Sequence, residues 1–579
     1  MKKRITGLML CLSILISCFA FGAIQTAAAD TSSKTTDTDY GLPKKIEDGN
    51  ILQCFNWKYN DIKSELKGIA EAGFTAVQTS PAQPGDTGGK WFWLYQPCGF
   101  YINYNDLGNR SELQSLCTEA KKYGIKIIVD VVANHLTGDH GKIQNDLKDG
   151  KYWHNYGKVT NWKDRYQVTH GDIGMQDLKT EDSYVQSVVK KYLNDLKSIG
   201  VSGFRFDAAK HIGTPAEGDD FFKMVKSVGL WSYGEILDNP GGKDAEVMKE
   251  YTKYISVSDC NYSGELTGHM RDGEVVTNSG HWKTKGVDGS KLIYWGESHD
   301  TFANNPNDGG WTKNLKQEII DRSYAILGSR SDAQALYLSR PGSTDRESIY
   351  AGNKGSTHYK SKEVAAVNHF KNALVGRGES YTSGDGCDVV CREGGAVVVS
   401  AKGSSGKVTV PNADSLVIPG TYTDEVTGNK WTVTDTIMTG TLGNTGIAVF
   451  YSTEPYVRPT EAPTEAPTTA PTEATTQAPT TAPTEAPTTV ATEAPTEIKD
   501  LGTIGDANED KNVNIKDATL IQKSIADLAQ LSETAKLLAD VNSNGRIDIK
   551  DATCIQKYLA MMSGSENAGK SYKDVITSK

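Results

Sequence analysis

Gly203-Phe204-Arg205-Phe206-Asp207-Ala208-Ala209-Lys210-His211 alternates apolar and polar side chains, then breaks into small and charged ones. As a strand it turns Phe204 and Phe206 to one face and Arg205 and Asp207 to the other. A cation and a carboxylate on an inward strand face are costly to bury unless they are paired or used. Taken alone, the pair reads as a buried ion pair. The surrounding elements decide otherwise.

Strand-like runs recur at 51–56, 76–80, 126–134, 203–208, 231–236, 254–258, 292–297 and 335–339. Amphipathic helical periods lie between them, among them 61–72, 111–123, 183–199 and 315–327. Strands alternating with helices over this length predict a parallel (β/α)8 TIM barrel, spanning 46–360. A doubly wound open sheet alternates in the same way, but no Gly-rich phosphate turn follows the first strand. One connection, about 136–181, is long. Long loops in compact domains are usually functional, so this one is expected to form a small domain B over the barrel mouth after strand 3.

The chain begins with Lys2-Lys3-Arg4, an apolar run and Ala27-Ala28-Ala29, which predicts a signal peptide over 1–29. A retained membrane anchor is the alternative, since the apolar run nearly reaches spanning length. No later run is apolar enough to span a membrane, so a secreted, extracellular chain is expected. Residues 30–45 read as loose. After the barrel, 361–454 alternates in short runs between Gly, Asn and Asp, which predicts an all-β antiparallel sandwich, domain C. Residues 455–498 repeat Pro, Thr, Ala and Glu and cannot bury a core; a disordered, extended linker is expected, able to reach on the order of 130 Å. A net charge of −10 with no basic cluster argues against a nucleic-acid partner. Two of the nine cysteines lie in the signal segment, and the other seven show no regular spacing for a disulfide framework or a zinc site. Cys387 and Cys391 are either bridged across a strand pair or free buried thiols.

Three carboxylates fall at strand ends: Asp207, Glu235 in Tyr233-Gly234-Glu235, and Asp300 in Glu297-Ser298-His299-Asp300. Barrel closure brings such positions to one face. Glycoside hydrolysis needs a nucleophilic carboxylate, a carboxyl kept protonated by its surroundings, and further negative charge near the oxocarbenium-like transition state.

Four motifs, Asp130-Val131-Val132-Ala133-Asn134-His135, the opening stretch, Trp231-Ser232-Tyr233-Gly234-Glu235 and Glu297-Ser298-His299-Asp300, occur in this order. In this the chain resembles the α-amylases of glycoside hydrolase family 13, from about residue 49 to 451. The resemblance implies Asp207 as nucleophile, Glu235 as general acid/base and Asp300 as transition-state stabiliser. Arg205 is the adjacent cation that favours charge on Asp207. His135 and His299 would bond sugar hydroxyls, Tyr95 would supply a stacking platform extended by Trp91, and Lys210 and His211 would contact sugar on the leaving-group side. A structural calcium between barrel and domain B is implied at Asn134, Asp177 and the carbonyl of His211; oxygen ligands suit Ca2+. Ser298 stands where chloride-binding members carry asparagine, which argues against a chloride requirement. The implied activity is endo-acting, retaining hydrolysis of α-1,4 bonds in starch and α-glucan oligosaccharides. Alternatives are a maltogenic or transglycosylating relative, or a non-catalytic starch-binding adhesion protein; the latter predicts a missing carboxylate, and none is missing.

The C-terminal module, 499–570, contains an internal repeat. Asp506, Asn508, Asp510, Asn512, Asn514 and Asp517 take alternate positions of a twelve-residue calcium loop, and Asp540, Asn542, Asn544, Arg546, Asp548 and Asp551 take the same positions in a second copy. Gly545 fits the sharp-turn position of the second loop, and Lys511 replaces it in the first. No entering helix precedes the first loop. The module therefore resembles an α-helical dockerin rather than an EF-hand pair. That implies two further calcium ions, a cohesin module of a scaffold protein as partner, with contacts around Lys516 and Lys550, and attachment of the secreted chain to a cell-surface scaffold.

Overall fold

The computed structural model describes residues 39–454, apart from 87, 104 and 277–279, and residues 501–577, apart from 526–528, 544–546, 548 and 560–566. The expected signal peptide, the linker, most of segment 30–45 and the loop positions Asn544, Arg546 and Asp548 lie outside the described residues. Among the described residues no helix is long and apolar enough to cross a membrane.

Eight parallel strands, β1 (Ile51–Cys54), β2 (Ala76–Thr79), β3 (Lys126–Val132), β4 (Gly203–Asp207), β5 (Trp231–Gly234), β6 (Ser256–Ser258), β7 (Leu292–Trp295) and β8 (Gln334–Leu338), close into a barrel in chain order. β8 pairs with β1, Leu336 opposite Ile51. The alternation in β4 is realised as the sequence predicts. Phe206 packs edge-on against Phe221 and Phe222 of the helix Phe221–Val228, outside the barrel. Arg205 turns inward, and the β3–β4 register sets it opposite Asp130. An intervening segment of short turns, the helix Arg165–His170 and three isolated bridges (His135 with Asp177, Trp153 with Leu178, Lys158 with Asp172) forms the excursion after β3.

The helix Lys362–Ala373, assigned from sequence to the start of the sandwich, completes the helical ring instead: Val367 and Phe370 are fully buried in the same core as Tyr324 and Leu327 of the helix Gln317–Ser329. The sandwich begins at β9 (Glu379–Gly384). It continues with β10 (Cys387–Arg392), β11 (Gly395–Ser400), β12 (Gly406–Pro411), β13 (Gly420–Thr423), β14 (Lys430–Val433), β15 (Ile437–Leu442) and β16 (Ile447–Tyr451). These make two antiparallel sheets, ordered β16-β11-β10-β9 and β12-β15-β14-β13. Trp431 stacks on Phe450 between them, with ring centroids 4.9 Å apart. Gly440 on β15 makes room: a Cβ there would lie 2.2 Å from Trp431. Cys387 and Cys391 sit on one strand, not across a pair, and both are free.

The C-terminal unit is built on the helices Ile515–Ile525, Glu533–Ala539 and Ile549–Leu559, around Ala518, Ile521, Leu538, Ala552 and Ile555. It runs past 570 into the helix Tyr572–Thr577, because Val575 is part of that core and Thr503 bridges Ser571.

Candidate active site

Arg205 is the hub of the barrel mouth. Its Nη1 donates to both oxygens of Asp130 at 2.8 Å and to Asp207 Oδ1 at 2.7 Å, and its Nη2 lies 2.6 Å from Glu235 Oε1. A fork of fixed N–H groups can hold several carboxylates where an ammonium would favour one. Asp130 also accepts from the hydroxyl of Tyr95 at 3.0 Å. After Asp207 the chain turns through Ala208, a non-glycine residue at φ 49°. Such strain, on the order of 1–2 kcal/mol, is typical of sites whose surroundings enforce it. The turn aims the Ala208 N–H at Glu235 Oε2, 3.2 Å away.

One guanidinium cannot neutralise four carboxylates. Burial, and then the charges of Asp300 and Asp207, push Glu235 up to about 7 against the pull of Arg205. Burial and Asp207 push Asp300 up to about 6, and a hydrogen bond joins it to Glu235. Two carboxyls in contact need a proton between them, so a proton is stored at the Glu235–Asp300 pair near neutral pH. Asn304 fixes the other side of Asp300, donating to Oδ1 at 3.0 Å.

His299 and His135 are buried and neutral. Burial and Arg205 hold His299 down at about 4, and burial lowers His135. Gln53 at the end of β1 is 3.0 Å from His299 Nδ1, and the Tyr95 carbonyl is 3.1 Å from His135 Nε2. His299 Nε2 and His135 Nδ1 are buried without a hydrogen-bond partner among the described residues. Unpartnered buried polar atoms are rare; His299 Nε2 faces Asp300 Oδ2 from 3.5 Å. Tyr95 stacks on His299, centroids 4.8 Å apart. Trp91 does not extend that platform. Only 3% exposed, it packs edge-on against Tyr95 and His299 and props them from behind. Lys210 donates to the Leu237 carbonyl at 2.8 Å and lies over Trp162, and His211 Nδ1 is 2.7 Å from the Val168 carbonyl. Both are tied to the protein rather than open. A cleft of about 820 Å³ runs from Asp300 past Leu237 to the exposed Trp311.

Gln53 and Asp130 were missed as site residues in the sequence. The signal was a lone polar residue inside an apolar strand run, Ile51-Leu52-Gln53-Cys54 and Ile127-Ile128-Val129-Asp130-Val131.

The bridge between His135 and Asp177, with Leu178 N donating to the Asn134 carbonyl at 2.9 Å, brings the expected calcium ligands Asn134 and Asp177 side by side. Both side-chain atoms of Asn134 and Oδ1 of Asp177 are buried and unpartnered among the described residues. Such orphaned oxygens fit a hard cation.

A family model described as the alpha-amylase catalytic domain matches residues 43–318. A second model, the dockerin type I domain, matches residues 504–560. An alpha-amylase of Clostridium acetobutylicum is 32% identical over 483 residues, covering 78% of this chain and 60% of the relative. One of Butyrivibrio fibrisolvens is 28% identical over 506 residues, covering 75% and 51%. The chain thus spans about half to three-fifths of the length of these relatives. A variant of alpha-amylase I from Eisenia fetida, solved with maltohexaose, aligns with a TM-score of 0.57 at 18% identity, covering 71% of this chain and 98% of its own. The Geobacillus thermoleovorans alpha-amylase, solved with acarbose, aligns at 0.56 and 17%, covering 70% and 99%. At these identities the structures bear on the fold alone. β8 and the helix Lys362–Ala373, which complete the barrel, lie beyond the stretch that the alpha-amylase model matches.

In the C-terminal unit the two halves share one contact among the described residues. Asp517 Oδ1 accepts from Asn508 N at 3.0 Å, and Asp551 Oδ1 accepts from Asn542 N at 3.1 Å. Lys511 takes φ 69°, the left-handed turn that the loop demands where the repeat carries Gly545. The carboxylate of Asp506 accepts from the N–H groups of Asp510 and Lys511.

Proposed function

We propose that this chain is a secreted, endo-acting, retaining α-amylase that hydrolyses internal α-1,4 bonds of starch and is held by its dockerin on a cohesin-bearing scaffold. The observation that carries the reading is the proton held high on Glu235 beside Asp207, both on one guanidinium at the head of an open cleft. Glu235 protonates the glycosidic oxygen as Asp207 attacks the anomeric carbon. The sugar–enzyme ester is then hydrolysed by water that Glu235 deprotonates. A shared guanidinium keeps the two carboxyls close, as a retaining pair about 5–5.5 Å apart requires. Asp300 adds negative charge at the developing oxocarbenium ion. His299 Nε2 and His135 Nδ1 bond hydroxyls of the sugar that stacks on Tyr95.

Calcium at Asn134 and Asp177 would brace the excursion against the barrel, with the His211 carbonyl as a further ligand, and two more ions would fill the dockerin loops. Ile515 and Ile549, 56% and 55% exposed, take the same place in each half beside Lys516 and Lys550, which supports a cohesin surface there. The test is hydrolysis of starch, pullulan and dextran side by side, with Asp207→Asn as control. Starch should lose iodine staining faster than reducing ends accumulate, and NMR should show α-anomers first. Activity in Asp207→Asn, or maltose alone released from chain ends, would sink this reading.

A further inference from the structure

Away from the barrel mouth, one group of side chains in the excursion has the makeup of a metal centre. His154, His170 and Glu181 each present a ligand atom, and these atoms all lie within 4.8 Å of one another. They come from separate segments. His154 follows Trp153 of the bridge to Leu178, His170 ends the helix Arg165–His170, and Glu181 precedes the capping Asp182 of the helix Ser183–Ser198.

Hydrogen bonds assign the ring nitrogens. His154 Nδ1 is 2.6 Å from Asp177 Oδ2, so Nδ1 carries a proton. His170 Nδ1 is 3.1 Å from the Tyr166 carbonyl, which can only accept, so this nitrogen donates as well. The lone pair of His170 is then on Nε2, while His154 faces a carboxylate with each ring nitrogen. His154 Nε2 is 2.9 Å from Glu181 Oε1. A nitrogen lone pair facing a carboxylate oxygen needs a cation between them, either a proton or a metal ion. The second imidazole favours the metal. The His154 and His170 ring centroids are only 4.4 Å apart, so an imidazolium would sit beside another nitrogen base left unused. A cavity of about 50 Å³ lined by His170, Glu181, Glu217 and Asp219 adjoins the group, with room for a water.

We propose that His154, His170 and Glu181 form a Zn2+ site in the excursion. Two imidazoles and one carboxylate, with a position open to water, are a zinc donor set, whereas calcium takes oxygens. The Asp177–His154 bond is the carboxylate–histidine contact that orients such ligands. Asp177 then serves two ions through different oxygens: Oδ1 is left for calcium and Oδ2 holds His154. The zinc ion ties three segments of the excursion together and steadies a calcium ligand. This holds whatever the substrate of the barrel.

The test is calorimetric titration of Zn2+ into the full-length protein in excess calcium, with Co2+ absorption as the spectroscopic probe. One equivalent of zinc should bind, and His170→Gln and Glu181→Gln should each weaken it about 30-fold. Co2+ should give an intense tetrahedral d–d band that both variants lose. The variants should keep their far-UV spectrum and their starch hydrolysis in excess calcium. No zinc binding, equal binding by wild type and His170→Gln, or zinc displaced by calcium would each overturn the site.

Discussion

Arg205 Nη2 lies 2.6 Å from Oε1 of Glu235, and the same guanidinium holds Asp207 and Asp130 through Nη1. The geometry of a planar fork, and not merely a positive charge, therefore sets the spacing of Asp207 and Glu235. Arg205→Lys keeps the charge and loses the fork. The expected outcome is a fall in kcat of about 100-fold with little change in fold, since a small displacement of reacting groups costs about that much. Steady-state kinetics with circular dichroism checks it. Near-wild-type kcat would show that charge alone suffices.

The raised value of Glu235 gives a pH dependence whose sign can be worked out. Activity needs the proton on Glu235, so kcat/KM should decline as pH rises through about 7. For stability, the folded value of Glu235 lies above its ordinary 4.5. The stabilising proton is fully present below pH 4.5, and its contribution is lost as pH rises to about 7. Glu235→Gln removes the buried charge. It should raise the melting temperature by a few degrees at pH 8, on the order of 1–3 kcal/mol, and hardly at all at pH 4.5. A uniform shift at both pH values would count against this account. The same variant should lose starch hydrolysis by about 10²–10⁴-fold yet cleave an α-maltosyl fluoride, whose leaving group needs no proton.

The barrel was legible because its strands are near-continuous apolar runs between amphipathic helices, and β4 could be read residue by residue from Phe204 to Asp207. The carboxylates at the strand ends were legible for the same reason: strand ends are where barrels work. What the sequence hid is contact across the barrel. Asp130 and Arg205 are far apart in the chain, and only the β3–β4 register makes them partners. Trp91 looked like a platform because aromatic residues near a mouth often are; its burial behind Tyr95 depends on a tertiary fit that no local pattern encodes. In the sandwich the local pattern gives the class but not the strand bounds. Ser415 closes the turn Ala413–Ser415 and the strand starts at Gly420, because turn residues cut these short runs at irregular intervals.

The orphaned oxygens of Asn134 and Asp177 predict a calcium-dependent melting temperature. An ion that binds only the folded state stabilises by RT ln(1 + [Ca2+]/Kd), about 4 kcal/mol at a thousandfold excess. Chelation should lower the melting temperature of the amylase domain by several degrees and abolish starch hydrolysis, and calcium should restore both. Asn134→Leu, of similar size but without an oxygen, should reproduce the loss in excess calcium. A melting curve indifferent to chelator would remove the calcium from this site.

The two halves of the C-terminal repeat present equivalent residues, Ile515 with Lys516 and Ile549 with Lys550, at the start of corresponding helices. Both isoleucines are more than half exposed and so within reach of a partner. If each half can bind alone, losing one leaves the other intact. Ile515→Asp and Ile549→Asp should each change cohesin capture by less than about threefold, while the double variant should cut it about 10-fold or more, because each alternative mode then lacks its own buried anchor, worth roughly 1.5 kcal/mol or more. Surface plasmon resonance on an immobilised cohesin, with calcium present and then chelated, reads this directly. Capture lost in one single variant would assign recognition to that half alone, and capture that survives chelation would separate it from the calcium loops that hold Asp517 and Asp551 in place.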